Sequence, residues 1–154
     1  MKHSGREEYI FGNMFVLANR LQVLGDKVDP NITIKQWLFI AIISKCEDRW
    51  PTISEISTMI GNSRQNVKKM AVILEKQGFV KLMKDCMDAR IIRVSLTKKC
   101  RDYFEKREEI ENLFMDKLFN GFDEELLKGL YNGLVKLSGN IVEMENQNEQ
   151  GVGV

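Results

Sequence analysis

Residues 52 to 97, TISEISTMIGNSRQNVKKMAVILEKQGFVKLMKDCMDARIIRVSLT, decide the fold of this chain. Thr52 followed three residues later by Glu55 is a capping-box pattern, and Ile53, Ile56 and Ile60 give the short helix behind it an apolar face. Gly61 can take the left-handed conformation that ends a helix, and Ser63, with Asn62 beside it, can cap the next one. That second helix is expected to run to about Gln77. Val67, Met70, Ala71 and Leu74 fall at i, i+3, i+4 and i+7 and turn inward, which leaves Arg64, Gln65, Lys68 and Lys69 outside. Gly78 stops it. Val80 and Leu82, then Ile92, Val94 and Leu96, alternate with polar residues and predict two strands around a loop from Lys84 to Arg90. Two helices joined by a glycine turn and followed by a β-ribbon are a means of presenting a helix to the DNA major groove.

Charge follows the same division. Between Gly61 and Arg101 there are 11 Lys/Arg against 3 Asp/Glu, while the rest of the chain carries 12 against 19. The whole-chain charge of +1 therefore conceals a basic module set in an acidic remainder. At 154 residues, with 44% hydrophobic and 29% charged residues, the chain suits one soluble globular domain. Its longest apolar run, Trp37 to Ile43, is too short to cross a bilayer, and MKHSGREEY has no signal-peptide core, so the cytoplasm is expected. Cys46, Cys86 and Cys100 are odd in number and widely spaced, suggesting neither a disulfide framework nor a zinc site. No phosphate-binding glycine loop occurs, and His3 is the only histidine. No cofactor, metal or catalytic residue is expected, and the chain does not read as an enzyme.

Outward from the centre, Phe11, Met14, Phe15, Ala18, Leu21 and Val28 recur at helical spacing and predict a first helix from Tyr9 to about Val28 with one buried face. Asp29, Pro30 and Asn31 break it. Thr33 and Gln36 form a second capping-box pattern ahead of an almost wholly apolar helix that should be central. After Thr97 one long helix is expected to carry Tyr103, Phe104, Ile110, Leu113, Phe114 and Leu118, with Gly121 as its stop and Asp123 as the next cap. Leu127, Leu130, Leu134, Leu137, Ile141 and Met144 then follow 3,4,3,4,3 steps, the spacing of a seam against another helix. Gly129, Gly133 and Gly139 each lower helicity by roughly 0.8 to 1 kcal/mol relative to Ala, so packing must hold that helix. The ending ENQNEQGVGV reads as a frayed tail.

Three segments resemble the MarR family of bacterial winged-helix transcriptional regulators: ITIKQWLFIAII, ISEISTMIGNSRQNVKKMAVILEKQGFVKL and DCMDARIIRVSLT. The family wing often reads Asp-x-Arg-Asp-x-Arg. Here Asp85, Met87, Asp88 and Arg90 occupy those positions, so Met87 replaces the first arginine, and Cys100 stands where glycine is frequent after the Leu-Thr pair. The resemblance implies a mainly α fold with a small β-wing, a winged helix-turn-helix with N- and C-terminal dimerisation helices. It spans 1–154 as a single domain, with the DNA-binding lobe at 33–97 and dimerisation helices at 7–28 and 98–146. It further implies a homodimer on a pseudopalindromic double-stranded operator, acting as a repressor released by a small aromatic or anionic effector, with no membrane partner.

Within that frame, Arg64 and Gln65 carry the groups that read guanine and adenine edges, and Asn66 does so if it faces the groove rather than the cap. Ser63, Lys68, Lys69 and Lys84 are candidates for phosphate, and Arg90, oriented by Asp88, for the minor groove. Arg93 is either a further backbone contact or plain surface. Tyr9, Phe15 and Trp37 are candidates for an effector pocket, although Trp and Phe at helical spacing are more often core. Two other readings stand beside the regulator: a dimeric interaction module that kept the fold but lost site-specific DNA binding, and a thiol-based redox sensor using Cys86 among the wing cations.

Overall fold

The computed structural model describes residues 5–46 and 49–149. Among them the elements are α1 (Gly5–Gly25), α2 (Ile34–Ser44), α3 (Ile53–Ile60), α4 (Arg64–Lys76), β1 (Val80–Lys84), β2 (Ile92–Leu96), α5 (Lys98–Glu105), α6 (Glu108–Leu118) and α7 (Glu124–Glu149). They fall into two compact units, Met1–Lys106 and Arg107–Val154. His3 and the end of the tail lie outside the described residues.

In the first unit the expected local signals are all made. Thr33 and Thr52 each accept a hydrogen bond from the amide three residues on, and Gln36 and Glu55 reach back to the cap amides. Gly61 and Gly78 adopt φ of 71° and 79°, ending α3 and α4 in the left-handed region that glycine enters without steric cost. α2 is central. Its Phe39, Ile40 and Ile43 pack with Ile56 of α3, Val67, Ala71 and Leu74 of α4, and Phe79, Val80 and Val94 of the hairpin. β1 and β2 pair antiparallel, Val80 with Leu96 through Lys84 with Ile92, around a seven-residue loop.

α1 starts earlier than expected and ends at Gly25. A Cβ on Gly25 would come within 2.8 to 2.9 Å of Ile34, including its Cβ, so glycine is what lets the two helices meet. Asp26 secures the approach by accepting the Ile34 amide at 2.7 Å. The apolar stripe of α1 is not buried in this chain: Phe11 and Phe15 are 64% and 61% exposed.

The single long helix expected after Thr97 is two. α5 packs into the first unit, with Cys100 1% exposed and Tyr103 donating its hydroxyl to the buried Asp29 at 2.7 Å. The lobe's core thus continues past Thr97. Arg107, at the cap position ahead of α6, makes no side-chain cap bond, so the interruption carries no capping, glycine or proline signal. Cys100 in place of glycine leaves the turn intact, its amide donating to the Thr97 hydroxyl at 3.2 Å.

In the second unit, Gly121 has φ 82° and Asp123 accepts the Leu126 amide at 2.8 Å, as the stop-and-cap pattern predicts. α7 continues to Glu149, so Glu145 to Glu149 are helix rather than frayed tail. Neither α6 nor α7 buries a residue. The seam of α7 stands open, with Leu127, Leu130, Leu134, Ile141 and Met144 all exposed.

The three thiols differ in setting. Cys86 is exposed, Cys46 half-buried, and Cys100 buried, with burial pushing the Cys100 thiol up to about 11. Alkylation followed by mass spectrometry should modify Cys86 first and Cys100 roughly a hundredfold more slowly than a free thiol at neutral pH. Equal rates at Cys86 and Cys100 would contradict the burial of α5.

Candidate nucleic-acid interface

The first turn of α4 is built by its own residues. Ser63 caps it by accepting the Asn66 amide at 3.2 Å, and Asn62 accepts both the Ser63 amide, at 2.8 Å, and the Asn66 side-chain amide, at 3.1 Å. Asn66 is therefore occupied with the cap, whereas Arg64, Gln65, Lys68 and Lys69 are all exposed. Their spacing at i, i+1, i+4 and i+5 keeps them on one side of the helix, opposite Val67, Ala71 and Leu74. The result is a rigid, capped helix end with donor-rich side chains directed outward.

α3 is held behind it. Glu55 accepts the Thr52 amide at 2.7 Å and pairs with Arg49 at 2.8 Å. The Thr52 amide first, and the Arg49 charge after it, hold the Glu55 carboxyl below the usual carboxylate range.

The wing loop is closed by its backbone and by two ion pairs. Asp85 donates its amide to the Ile91 carbonyl, and Ile91 donates to that of Asp88, each at 2.9 Å. Near the tip Arg90 grips Asp88 bidentately, Nε and Nη2 each 3.0 Å from a carboxylate oxygen, and its amide bonds the same group at 3.0 Å. This guanidinium holds the Asp88 carboxyl below its ordinary range, and the Arg90 side chain remains 90% exposed. Lys84 is exposed at the end of β1. Planar bidentate pairing fixes the guanidinium's direction while leaving its outer edge free to donate.

The second pair is the one the sequence reading missed. Arg93 reaches Asp85 at 3.0 Å and the Trp50 carbonyl at 2.9 Å, tying β2 to the wing loop and to the segment ahead of α3. Val94 donates to the Pro51 carbonyl at 2.9 Å beside it. Strand parity carried the signal. Met83 pairs with Arg93, so Asp85, two residues on, lies diagonal to Arg93 on the same face. What the sequence did not disclose is that the segment before α3 pairs along β2, through an antiparallel bridge between Thr52 and Arg93.

The residues expected to line an effector pocket differ in setting. Tyr9 and Phe15 are exposed on α1, and Trp37 packs partly buried against the core. A shallow cleft of about 290 Å³ opens instead between α1, α2 and α4, lined by Gln22, Asp26, Gln36, Lys69, Met70 and Ile73 among others. Among the described residues no cluster of His, Cys, Asp and Glu is arranged to hold a metal ion, and no helix is long and apolar enough to cross a membrane.

No family model matches the sequence, and comparison with curated proteins found no match. Solved structures are similar in fold. A MarR/EmrR family transcriptional regulator from Acinetobacter sp. ADP1 superposes with a TM-score of 0.78 at 19% identity, over 92% of this chain and 100% of that one. Streptococcus pneumoniae FabT, solved in complex with DNA, gives 0.65 at 21% identity over 90% and 99%. Bordetella bronchiseptica BpsR, whose structure is described as a mechanism for regulation of DNA binding by 6-hydroxynicotinic acid, gives 0.70 at 16% identity over 82% and 91%. The fold is a MarR-type winged helix-turn-helix, mainly helical with one two-stranded wing.

Proposed function

We propose that this chain is a MarR-type transcriptional regulator that acts in the cytoplasm as a homodimer, occupies a pseudopalindromic operator and represses by blocking it. The observation that carries the reading is the pairing, on one basic lobe, of a capped helix end bearing exposed Arg64 and Gln65 with a closed wing bearing exposed Arg90. In this reading Arg64 and Gln65 contact base edges, Ser63, Lys68, Lys69 and Lys84 meet phosphates, and Arg90, aimed by Asp88, enters the minor groove. Asn66 serves the cap. The likeness to FabT, whose structure contains DNA, supports a DNA role for this lobe.

The apolar faces of α1, α6 and α7 supply the dimer. Tyr9, Phe11 and Phe15 on α1, and Leu113, Leu130 and Leu134 on α6 and α7, are each 42% to 69% exposed in one chain, so each unit leaves large apolar side chains of its own open. A second copy covers them by an isologous contact, which sets two recognition helices about one DNA turn, roughly 34 Å, apart. An effector that changes this spacing releases the DNA, and BpsR, by its description, is regulated by a small aromatic acid.

Fluorescence anisotropy with the DNA upstream of the chain's own gene, a scrambled duplex and near-physiological salt tests the proposal. A preference of about a thousandfold or more supports it. Equal, salt-labile binding to both duplexes, together with no site recovered by genome-wide selection, would favour the interaction module.

A further inference from the structure

Met87 is the residue the binding scheme leaves unused. It sits in the loop between the two ion-paired carboxylates, Asp85 and Asp88, and is 90% exposed. Among the described residues the next most exposed large apolar side chain is Tyr9, at 69%. Unlike the apolar residues of α1, α6 and α7, Met87 does not belong to a helix stripe that a second copy would cover. Asp85 and Asp88 are each held by an arginine, and exposed cations, Lys84 and Arg90, stand three residues away on either side in sequence.

The loop beneath it is stiff. The Asp85–Ile91 and Ile91–Asp88 backbone bonds, the triple Asp88–Arg90 contact and the Asp85–Arg93 pair fix the backbone on both sides of residue 87. An unbranched thioether on a rigid tip, in the same loop as a groove-directed arginine and next to the strand end that carries Lys84, has the parts of a minor-groove wedge: Lys84 engages phosphate, Arg90 lies along the groove, and the apolar group inserts at a base step. An arginine at this position would instead respond to the negative potential of a narrow groove.

Building on the regulator reading, we infer that Met87 is a specificity-determining residue which inserts into the minor groove flanking each half-site and selects deformable pyrimidine–purine steps. Insertion partly unstacks a step, and TA and CA/TG steps unstack with least cost, so the sequence is read through deformability without a hydrogen bond to a base. The DNA is bent at each wing as a consequence.

The test is selection from a random duplex library with the full chain and with Met87→Ala and Met87→Arg, followed by bend measurement on the selected duplexes by energy transfer. Met87 is so exposed that neither change should disturb the fold. The wild-type chain should enrich a TA or CA/TG step at a fixed distance outside each half-site. Met87→Ala should keep the half-sites, lose the flanking step, bend the DNA less and bind the selected duplex about tenfold more weakly. Met87→Arg should shift the flank toward A-tracts. Identical flanks and bends for wild type and Met87→Ala would overturn the inference while leaving the regulator reading intact. A wild-type chain that enriches no sequence at all would overturn both.

Discussion

If the proposed dimer forms through α7, Leu134→Glu is expected to convert it to monomers and to lower operator affinity by about a thousandfold or more, down to the level of non-specific binding. Leu134 lies mid-seam on α7 and is 52% exposed in the single chain, so a carboxylate there costs the isolated unit little. In the dimer it would be enclosed by apolar side chains without a partner, and an unpaired buried charge is strongly disfavoured. Gly129, Gly133 and Gly139 make α7 a weak helix on its own, at about 0.8 to 1 kcal/mol each, so losing the partner should also reduce helicity by circular dichroism. The first unit has its own core around Phe39, Ile56 and Leu74 and should remain folded. Half-site affinity alone cannot reproduce two-site binding, hence the size of the effect. Lys136→Glu, off the seam, is the control that should leave both mass and affinity nearly unchanged. Light scattering that still reports a dimer for Leu134→Glu would show that the seam is not the interface.

The parts of this fold legible in the sequence are those encoded within four residues. Thr33 with Gln36, Thr52 with Glu55, Ser63 with the Asn66 amide, and the positive φ of Gly61, Gly78 and Gly121 are local bonds or steric permissions, and each is made where the pattern placed it. The inward set Val67, Ala71 and Leu74 was legible for the same reason, since helical period fixes a face. Periodicity does not say which chain covers that face. The stripe of α1 and the seam of α7 therefore read as buried surfaces, yet they stand open in the single chain. Nor did it mark the interruption between α5 and α6, because Tyr103, Phe104, Ile110 and Leu113 stay near helical phase across Lys106 and Arg107, with no glycine, proline or side-chain cap between them. For the site, residue type and position were enough to single out Arg64, Gln65 and Arg90 as exposed donors. They could not show that Asn66 is held by Asn62, which is a matter of rotamer rather than of spacing.

Arg93→Ala is expected to destabilise the first unit by about 2 kcal/mol while leaving the salt dependence of DNA binding unchanged. Asp85 has a side chain only 8% exposed, and removing Arg93 leaves that carboxylate without its guanidinium and the Trp50 carbonyl without its donor. Breaking a fully buried pair costs about 3 to 5 kcal/mol, and the value is reduced here because Arg93 is 34% exposed and water can enter. Asp85→Asn combined with Arg93→Ala should recover part of the loss, because no unpaired charge remains, and the double-mutant cycle measures that coupling. Operator affinity should fall through a loosened wing. Each phosphate contact contributes about 0.9 to the slope of log affinity against log salt, so Lys84→Ala should lower the slope by about that amount and Arg93→Ala should not. These two residues, both cationic and both on the hairpin, are indistinguishable by charge count. Their separation rests on which one already has a carboxylate to hold: an unchanged melting temperature with a reduced salt slope for Arg93→Ala would mean that DNA, rather than Asp85, is its partner.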